Sequence, residues 1–77
     1  MDIKVLGPGC ANCVKLEALV TAVMSEKGIE ATLDHVRDYK EIVGYGVMKT
    51  PGLVVDGKVV SYGRIPSKEE ISGWLKG

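Results

Sequence analysis

The chain has 77 residues, of which 45% are hydrophobic, and its ten Lys and Arg residues balance its ten Asp and Glu residues. This length predicts a single domain over residues 1–77 with one modest core. Neither sign of charge forms a block, so the composition gives no reason to expect a nucleic-acid or membrane-surface partner. No hydrophobic run approaches a membrane span and the first residues do not resemble a secretory signal, so we expect a cytoplasmic protein.

The first half of the chain predicts a strand, a helix and a second strand. The apolar run Ile3–Leu6 is typical of a strand, and the breakers Gly7–Gly9 interrupt it. Apolar residues at spacings of three and four then indicate a helix that Gly28 ends: Leu16, Leu19, Val20, Val23 and Met24. The alternating stretch Ile29–Val36 predicts a half-covered strand. This order implies a right-handed parallel crossover, with the segment after the first strand at the sheet edge where sites are common.

A capping pattern predicts a short second helix. Asp38 is its candidate cap, and Glu41 stands at the third helical position, as in a capping box. Gly44 or Gly46 supplies the exit from this helix.

The last third of the chain predicts a hairpin and a final helix. Leu53–Val55 and Lys58–Val60 flank Asp56-Gly57, a dipeptide that type I′ turns prefer. Ser67 and Glu70 form a capping box before three apolar residues that share one helical face: Ile71, Trp74 and Leu75. The full order is β-α-β-α-β-β-α, which predicts an α/β fold with a mixed four-stranded sheet and helices on both faces.

Cys10 and Cys13 lie where the first strand gives way to the helix, and the chain contains no other cysteine. Unpaired N–H groups at a helix start favour a thiolate, which is the form that attacks disulfides. A structural bridge is an alternative, but closing so short a loop stabilises the fold by only ~2 kcal/mol. Zinc takes four ligands, and this chain offers two thiols and the distant His35, unless a dimer shares the site. In a reducing compartment such a pair tends to cycle, so it is a candidate redox centre.

Two segments, GPGCANC at Gly7–Cys13 and KTPGLVVDGKVV at Lys49–Val60, together resemble the thioredoxin fold. The chain is most similar to the small prokaryotic thioredoxin-like or glutaredoxin-like proteins that are called redox-active disulfide proteins. This resemblance implies a thioredoxin-like fold over nearly the whole chain. It also implies that Thr50-Pro51 contains a cis-proline facing the thiols, and X-Pro bonds adopt cis at modest cost. Because proline has no N–H, the backbone of Thr50 is then left to pair with an extended substrate segment.

The resemblance implies a thiol–disulfide oxidoreductase that reduces or exchanges protein disulfides. Cys10, nearer the helix start, is the expected nucleophile, and Cys13, one turn later, is the expected resolving cysteine. The residues expected to contact the substrate are Gly9, Ala11, Asn12, Thr50 and Pro51. No cofactor or metal is expected. Turnover requires an electron donor, either a thioredoxin-reductase-like flavoprotein or a low-molecular-weight thiol.

The chain departs from its better-known relatives in several places. Typical thioredoxins have Trp before the first cysteine and Gly-Pro between the two, where this chain has Gly9 and Ala11-Asn12. They also place a buried acid on the strand below the thiols. Here that strand carries Lys4, whose stem we expect to pack while its amine reaches water. Ser61–Arg64 has one glycine where glutaredoxins use Gly-Gly, so no glutathione site is predicted. His35 lies near a strand end, and we expect no catalytic role for it.

Two other classes of function compete with the redox enzyme. The stretch GPGCANCVKLEALV also resembles the loop and first helix of heavy-metal-associated domains, which would make the pair a soft-metal site in a metal chaperone. Those domains fold as βαββαβ and need a strand near the end, where Ser67–Lys76 predicts a capped helix. The third possibility is a non-enzymatic redox sensor or adaptor, in which oxidation of the pair alters a protein surface.

Overall fold

The computed structural model describes residues 1–9 and 11–75. The elements in chain order are β1 (Asp2–Leu6), α1 (Ala11–Lys27), β2 (Thr32–Val36), α2 (Tyr39–Gly44), β3 (Gly52–Val55), β4 (Lys58–Tyr62) and α3 (Lys68–Trp74). The sheet has the strand order β2-β1-β3-β4. β1 is parallel to β2 and antiparallel to β3, and β3 is antiparallel to β4. The predicted element order and the mixed four-stranded sheet are thus confirmed.

Helices cover both faces of the sheet, as predicted. Successive strand residues point to opposite faces, and the buried residues accordingly form two clusters. The first cluster joins the sheet to α1 and α3, and its members include Val5, Leu16 and Ile71. The second joins the sheet to α2, and its members include Leu6 and Ile42. Each fully buried aliphatic side chain of this size contributes roughly 1.5–3 kcal/mol of hydrophobic free energy.

The end of α1 explains why β2 is shorter than predicted. Gly28 has φ 62°, and the N–H of Ile29 donates to the Met24 carbonyl at 2.9 Å. The N–H of Gly28 donates to the Ser25 carbonyl at 3.4 Å, which completes a Schellman motif. Ile29 is therefore part of the helix cap, and the prediction that the strand begins there is wrong: β2 begins at Thr32. The apolar side chain of Ile29 still packs against the first cluster.

The hairpin between β3 and β4 forms as its turn dipeptide predicts. Val55 pairs with Lys58, so the loop consists of Asp56 and Gly57. Their φ angles are 50° and 80°, and both positions of a type I′ turn require positive values.

Both predicted helix caps are present, but they differ in detail. Ser67 caps α3: its hydroxyl accepts from the Glu70 N–H at 3.1 Å, and its own N–H donates to the Glu70 carboxylate at 3.2 Å. This is the predicted capping box. At α2 the Asp38 carboxylate accepts from the N–H of Lys40 at 2.9 Å. The cap is confirmed there, but its bond goes to the second helical residue rather than to Glu41.

Candidate active site

Cys13 is the third residue of α1, and its side chain is fully buried. The two residues before it, Ala11 and Asn12, begin the helix and are exposed. Gly9 is also exposed and has φ 96°, a left-handed conformation that favours glycine. Cys10, the predicted nucleophile, lies outside the described residues. The segment that leads into α1 therefore presents exposed backbone at Gly9, Ala11 and Asn12 and a buried sulfur at Cys13.

Gly7 packs directly against Cys13. A Cβ atom added to Gly7 would overlap Sγ of Cys13 and lie 3.2 Å from its Cβ. The same added atom would lie 3.7 Å from Cβ of Thr50. Gly7 therefore fills the point where the first helix and the segment before β3 meet, and a larger residue does not fit there. The sequence indicated Gly7 only as a strand breaker and gave no sign of this close approach.

The Thr50–Pro51 peptide bond is cis. Pro51 is buried and Thr50 is half-buried. The Pro51 carbonyl accepts a hydrogen bond from the N–H of Gly63 at 3.0 Å. A Cβ added to Gly63 would lie 3.2 Å from Cβ of Lys49, so the segment after β4 packs closely beside this turn. Thr50 and Cys13 are thus both neighbours of Gly7. The Pro51 backbone is held by Gly63, which follows β4.

His35 on β2 also contacts Gly7. Its Nε2 lies 3.1 Å from the Gly7 carbonyl oxygen, and its Nδ1 lies 2.8 Å from a carboxylate oxygen of Glu17 on α1. The imidazole is 12% exposed and the Glu17 side chain 41%. Glu17 is 18 residues away from His35 along the chain, so the sequence did not indicate this contact. Helix packing makes this contact, and no local pattern indicates it.

Lys4 on β1 lies on the other face of the sheet. It has the same strand parity as Leu6, which belongs to the cluster beneath α2. Its amine donates to the Tyr45 hydroxyl at 3.2 Å, and this hydrogen bond raises the pKa of Lys4 above its ordinary value. We expected the amine to reach water, and Tyr45 is a partner that the sequence did not indicate. The positive charge of Lys4 is therefore directed towards α2, not towards α1 and Cys13.

A soft-metal site would need further ligands. Among residues 1–9 and 11–75, no three side chains of His, Cys, Asp or Glu cluster so that they could hold a metal ion. The fold also places the helix α3 where a βαββαβ domain needs a strand. The topology therefore does not match that of a heavy-metal-associated domain. In the same part of the chain, none of the helices has the length and apolar character needed to cross a membrane.

Comparison with known proteins identifies the family. The family model described as "Thioredoxin domain" matches residues 1–76. A curated thioredoxin of Methanothermobacter thermautotrophicus is 41% identical over 71 residues, which is 92% of each chain. A curated thioredoxin of Methanocaldococcus jannaschii is 39% identical over 74 residues, covering 96% of this chain and 85% of the relative. The chain therefore belongs to the thioredoxin-domain family and is a thiol–disulfide oxidoreductase.

Proposed function

We propose that Cys10 and Cys13 are the redox pair of this oxidoreductase, with Cys10 as the nucleophile and Cys13 as the resolving cysteine. The observation that carries the proposal is the close packing at Gly7, which has the buried Cys13 and Thr50 as neighbours. One further observation supports it: Cys13 is in a disulfide bond.

The reductive half-reaction follows from thiolate chemistry. The Cys10 thiolate attacks one sulfur of a substrate disulfide, so that a bond to Cys10 forms while the substrate S–S bond breaks. The other substrate sulfur leaves as a thiolate and takes up a proton. Cys13 then loses its proton and attacks Cys10 Sγ, which releases the second substrate sulfur and leaves a Cys10–Cys13 disulfide. Two electrons pass from the dithiol to the substrate.

A second reaction must restore the dithiol. Two electrons and two protons come from a thioredoxin-reductase-like flavoprotein or from a low-molecular-weight thiol that is itself oxidised to a disulfide. A cytoplasm kept reducing by such thiols is the compartment that suits this cycle.

The substrate segment binds at Thr50 in this proposal. None of the backbone hydrogen bonds that join loops and elements within residues 1–9 and 11–75 involves Thr50. Its N–H and carbonyl are therefore suited to pair with an extended peptide, in the manner of strand addition. Pro51 offers no N–H to compete for that peptide. Gly9, Ala11 and Asn12 are exposed on the helix side and form the other wall of the binding site.

The roles of the cysteines are tested by trapping. A Cys13→Ser variant is mixed with a peptide whose single cysteine forms a disulfide with 5-thio-2-nitrobenzoate. We expect a stable mixed disulfide between the peptide and Cys10, because no resolving thiol remains to release it. Mass spectrometry of proteolytic fragments identifies the cysteine that carries the peptide.

The matched control is Cys10→Ser, which keeps one thiol but removes the nucleophile. Since Cys13 is fully buried, this variant should react much more slowly with the same disulfide. Faster trapping by Cys10→Ser than by Cys13→Ser would reverse the assignment of roles. A wild-type protein without a reversible dithiol–disulfide couple would refute the proposed function as a whole.

A further inference from the structure

Each ring nitrogen of His35 faces an oxygen atom. The Gly7 carbonyl oxygen can only accept, so Nε2 carries a hydrogen and donates it across 3.1 Å. Nδ1 faces the Glu17 carboxylate at 2.8 Å, and a proton on Nδ1 or on the carboxylate completes that second bond. Glu17 thus holds the imidazole in the orientation that places Nε2 on Gly7. The ring is largely buried, which limits competition from water.

Gly7 is held to β2 from both of its peptide groups. Its N–H donates to the Val36 carbonyl at 2.9 Å, and its carbonyl accepts from His35. The first bond continues the pairing of β1 with β2, whose last register pair joins Leu6 to Val36. The second bond comes from the His35 side chain, so a substitution of His35 removes it. The first bond joins two backbone groups and remains in such a variant.

The position of Gly7 affects the redox pair because the glycine packs against Sγ of Cys13. This packing occurs with Cys13 in its disulfide-bonded state. In the dithiol the Cys13 sulfur is released and can rotate about χ1, so it depends less on a fixed Gly7. Contacts that hold Gly7 in place therefore stabilise the disulfide more than the dithiol.

We propose that His35, oriented by Glu17, is a positioning residue that stabilises the disulfide state of the redox pair by fixing the Gly7 carbonyl. This role rests on the proposed function of Cys10 and Cys13. His35 does not touch the reacting sulfurs in this account; it acts on them through the Gly7 backbone. Its loss should shift the dithiol–disulfide equilibrium towards the dithiol while the protein remains folded.

The test is the equilibrium of the full chain with defined ratios of reduced and oxidised glutathione, measured by alkylation and mass spectrometry. We expect His35→Leu to favour the dithiol by more than twofold relative to the wild type. The upper limit is about tenfold, which corresponds to a hydrogen bond that acts on the disulfide state alone. His35→Gln keeps an amide N–H that can donate to Gly7. Its shift from the wild type, on a logarithmic scale, should therefore be at most half of the shift of His35→Leu. Glu17→Gln, which weakens the orienting bond, should shift the equilibrium in the same direction by about twofold or more.

The matched control is Glu26→Gln, the same chemical change on the same helix. Glu26 pairs with Lys68 at 2.6 Å on an exposed surface, away from Gly7, and its loss should leave the equilibrium unchanged. A His35→Leu variant that is folded by circular dichroism and lies within twofold of the wild type would overturn the proposal. If His35→Leu does not fold, Glu17→Gln decides in its place, and an equilibrium equal to that of the wild type would then overturn the proposal. A wild-type protein with no measurable couple would instead refute the proposed function.

Discussion

A methyl group at position 7 is the most direct test of the packing at the candidate active site. Gly7 has no left-handed φ, so alanine can adopt its backbone conformation and the effect of Gly7→Ala is steric. The added Cβ would meet three atoms. It would overlap Sγ of Cys13, press on the Cys13 Cβ at 3.2 Å and make an ordinary contact with Thr50 at 3.7 Å.

The magnitude depends on the redox state. Overpacking a buried site in this way costs about 1–3 kcal/mol, and we expect the upper part of that range in the oxidised protein. With Cys13 in a disulfide, its sulfur cannot rotate away from the new methyl group, so the backbone must move. In the dithiol the sulfur can change rotamer and relieve part of the overlap. A difference of about 1–2 kcal/mol between the two states corresponds to a shift of roughly 5–30-fold towards the dithiol.

The assay is denaturant unfolding of wild type and Gly7→Ala, each with and without a reductant such as dithiothreitol. The variant should lose more stability in the oxidised form than in the reduced form. Gly73→Ala is the matched control, because it lies within α3 and an added Cβ there meets nothing within 4 Å. That change should stabilise the protein by about 0.5–1 kcal/mol in both states. If Gly7→Ala loses the same stability in both states, or none, the proposed contact with the Cys13 sulfur does not govern the site.

Two further predictions concern the hairpin and the last helix. The hydrogen bond from Arg64, followed by that from the Ser67 backbone, lowers the pKa of Glu70 to about 2. The stability that depends on the Glu70 carboxylate is therefore present above its ordinary pKa of about 4.3 and is lost as the pH falls towards 2. The free energy of unfolding, measured with urea across this pH range, should depend less on pH in Glu70→Gln than in the wild type. The control Glu69→Gln should retain the wild-type profile. Identical profiles for all three proteins would contradict the role of Glu70. Gly57→Ala should lower the stability by about 1–2 kcal/mol in thermal unfolding, because Gly57 has φ 80°. An added Cβ would meet nothing within 4 Å, so this cost comes from the backbone conformation alone. An unchanged unfolding midpoint would mean that the turn is not type I′.

The features that the sequence predicted are those encoded by neighbouring residues. The hairpin follows from Asp56-Gly57, and the cap of α3 follows from Ser67 and Glu70, three positions apart. The start of β2 was predicted too early because apolar alternation does not show that Ile29 is needed to close the cap of α1. An apolar residue that closes a helix cap and one that begins a strand produce the same local pattern.

The features that the sequence did not predict arise from residues that meet only in the folded chain. Cys13 was predicted from its spacing to Cys10 at the start of a helix, and Thr50 and Pro51 were predicted from the resemblance to a known motif. Gly7 was not identified as part of the site, since its close contact exists only once α1 has packed against the sheet. The pairing of His35 with Glu17 is of the same kind. A half-buried histidine in a strand has too many ordinary explanations for its sequence position to indicate a partner.

The contacts around Gly7 suggest how the proposed redox pair is supported. Typical thioredoxins carry a buried acid on the first strand, whereas β1 carries Lys4, as the sequence already showed. Strand alternation directs Lys4 to Tyr45 on the α2 side. The groups of the sheet that do contact the candidate site are those of His35 and Val36 on β2, and both bind the Gly7 backbone.

Two variants test this support in different ways. Gly7→Ala adds a contact and His35→Leu removes a hydrogen bond, yet both disturb the same packing against Cys13. Both should therefore shift the dithiol–disulfide equilibrium towards the dithiol. An account in which nearby charges alone set that equilibrium predicts an effect of His35→Leu but none of Gly7→Ala, which changes no charge. The two variants together therefore separate backbone packing from electrostatics as the main support of the site.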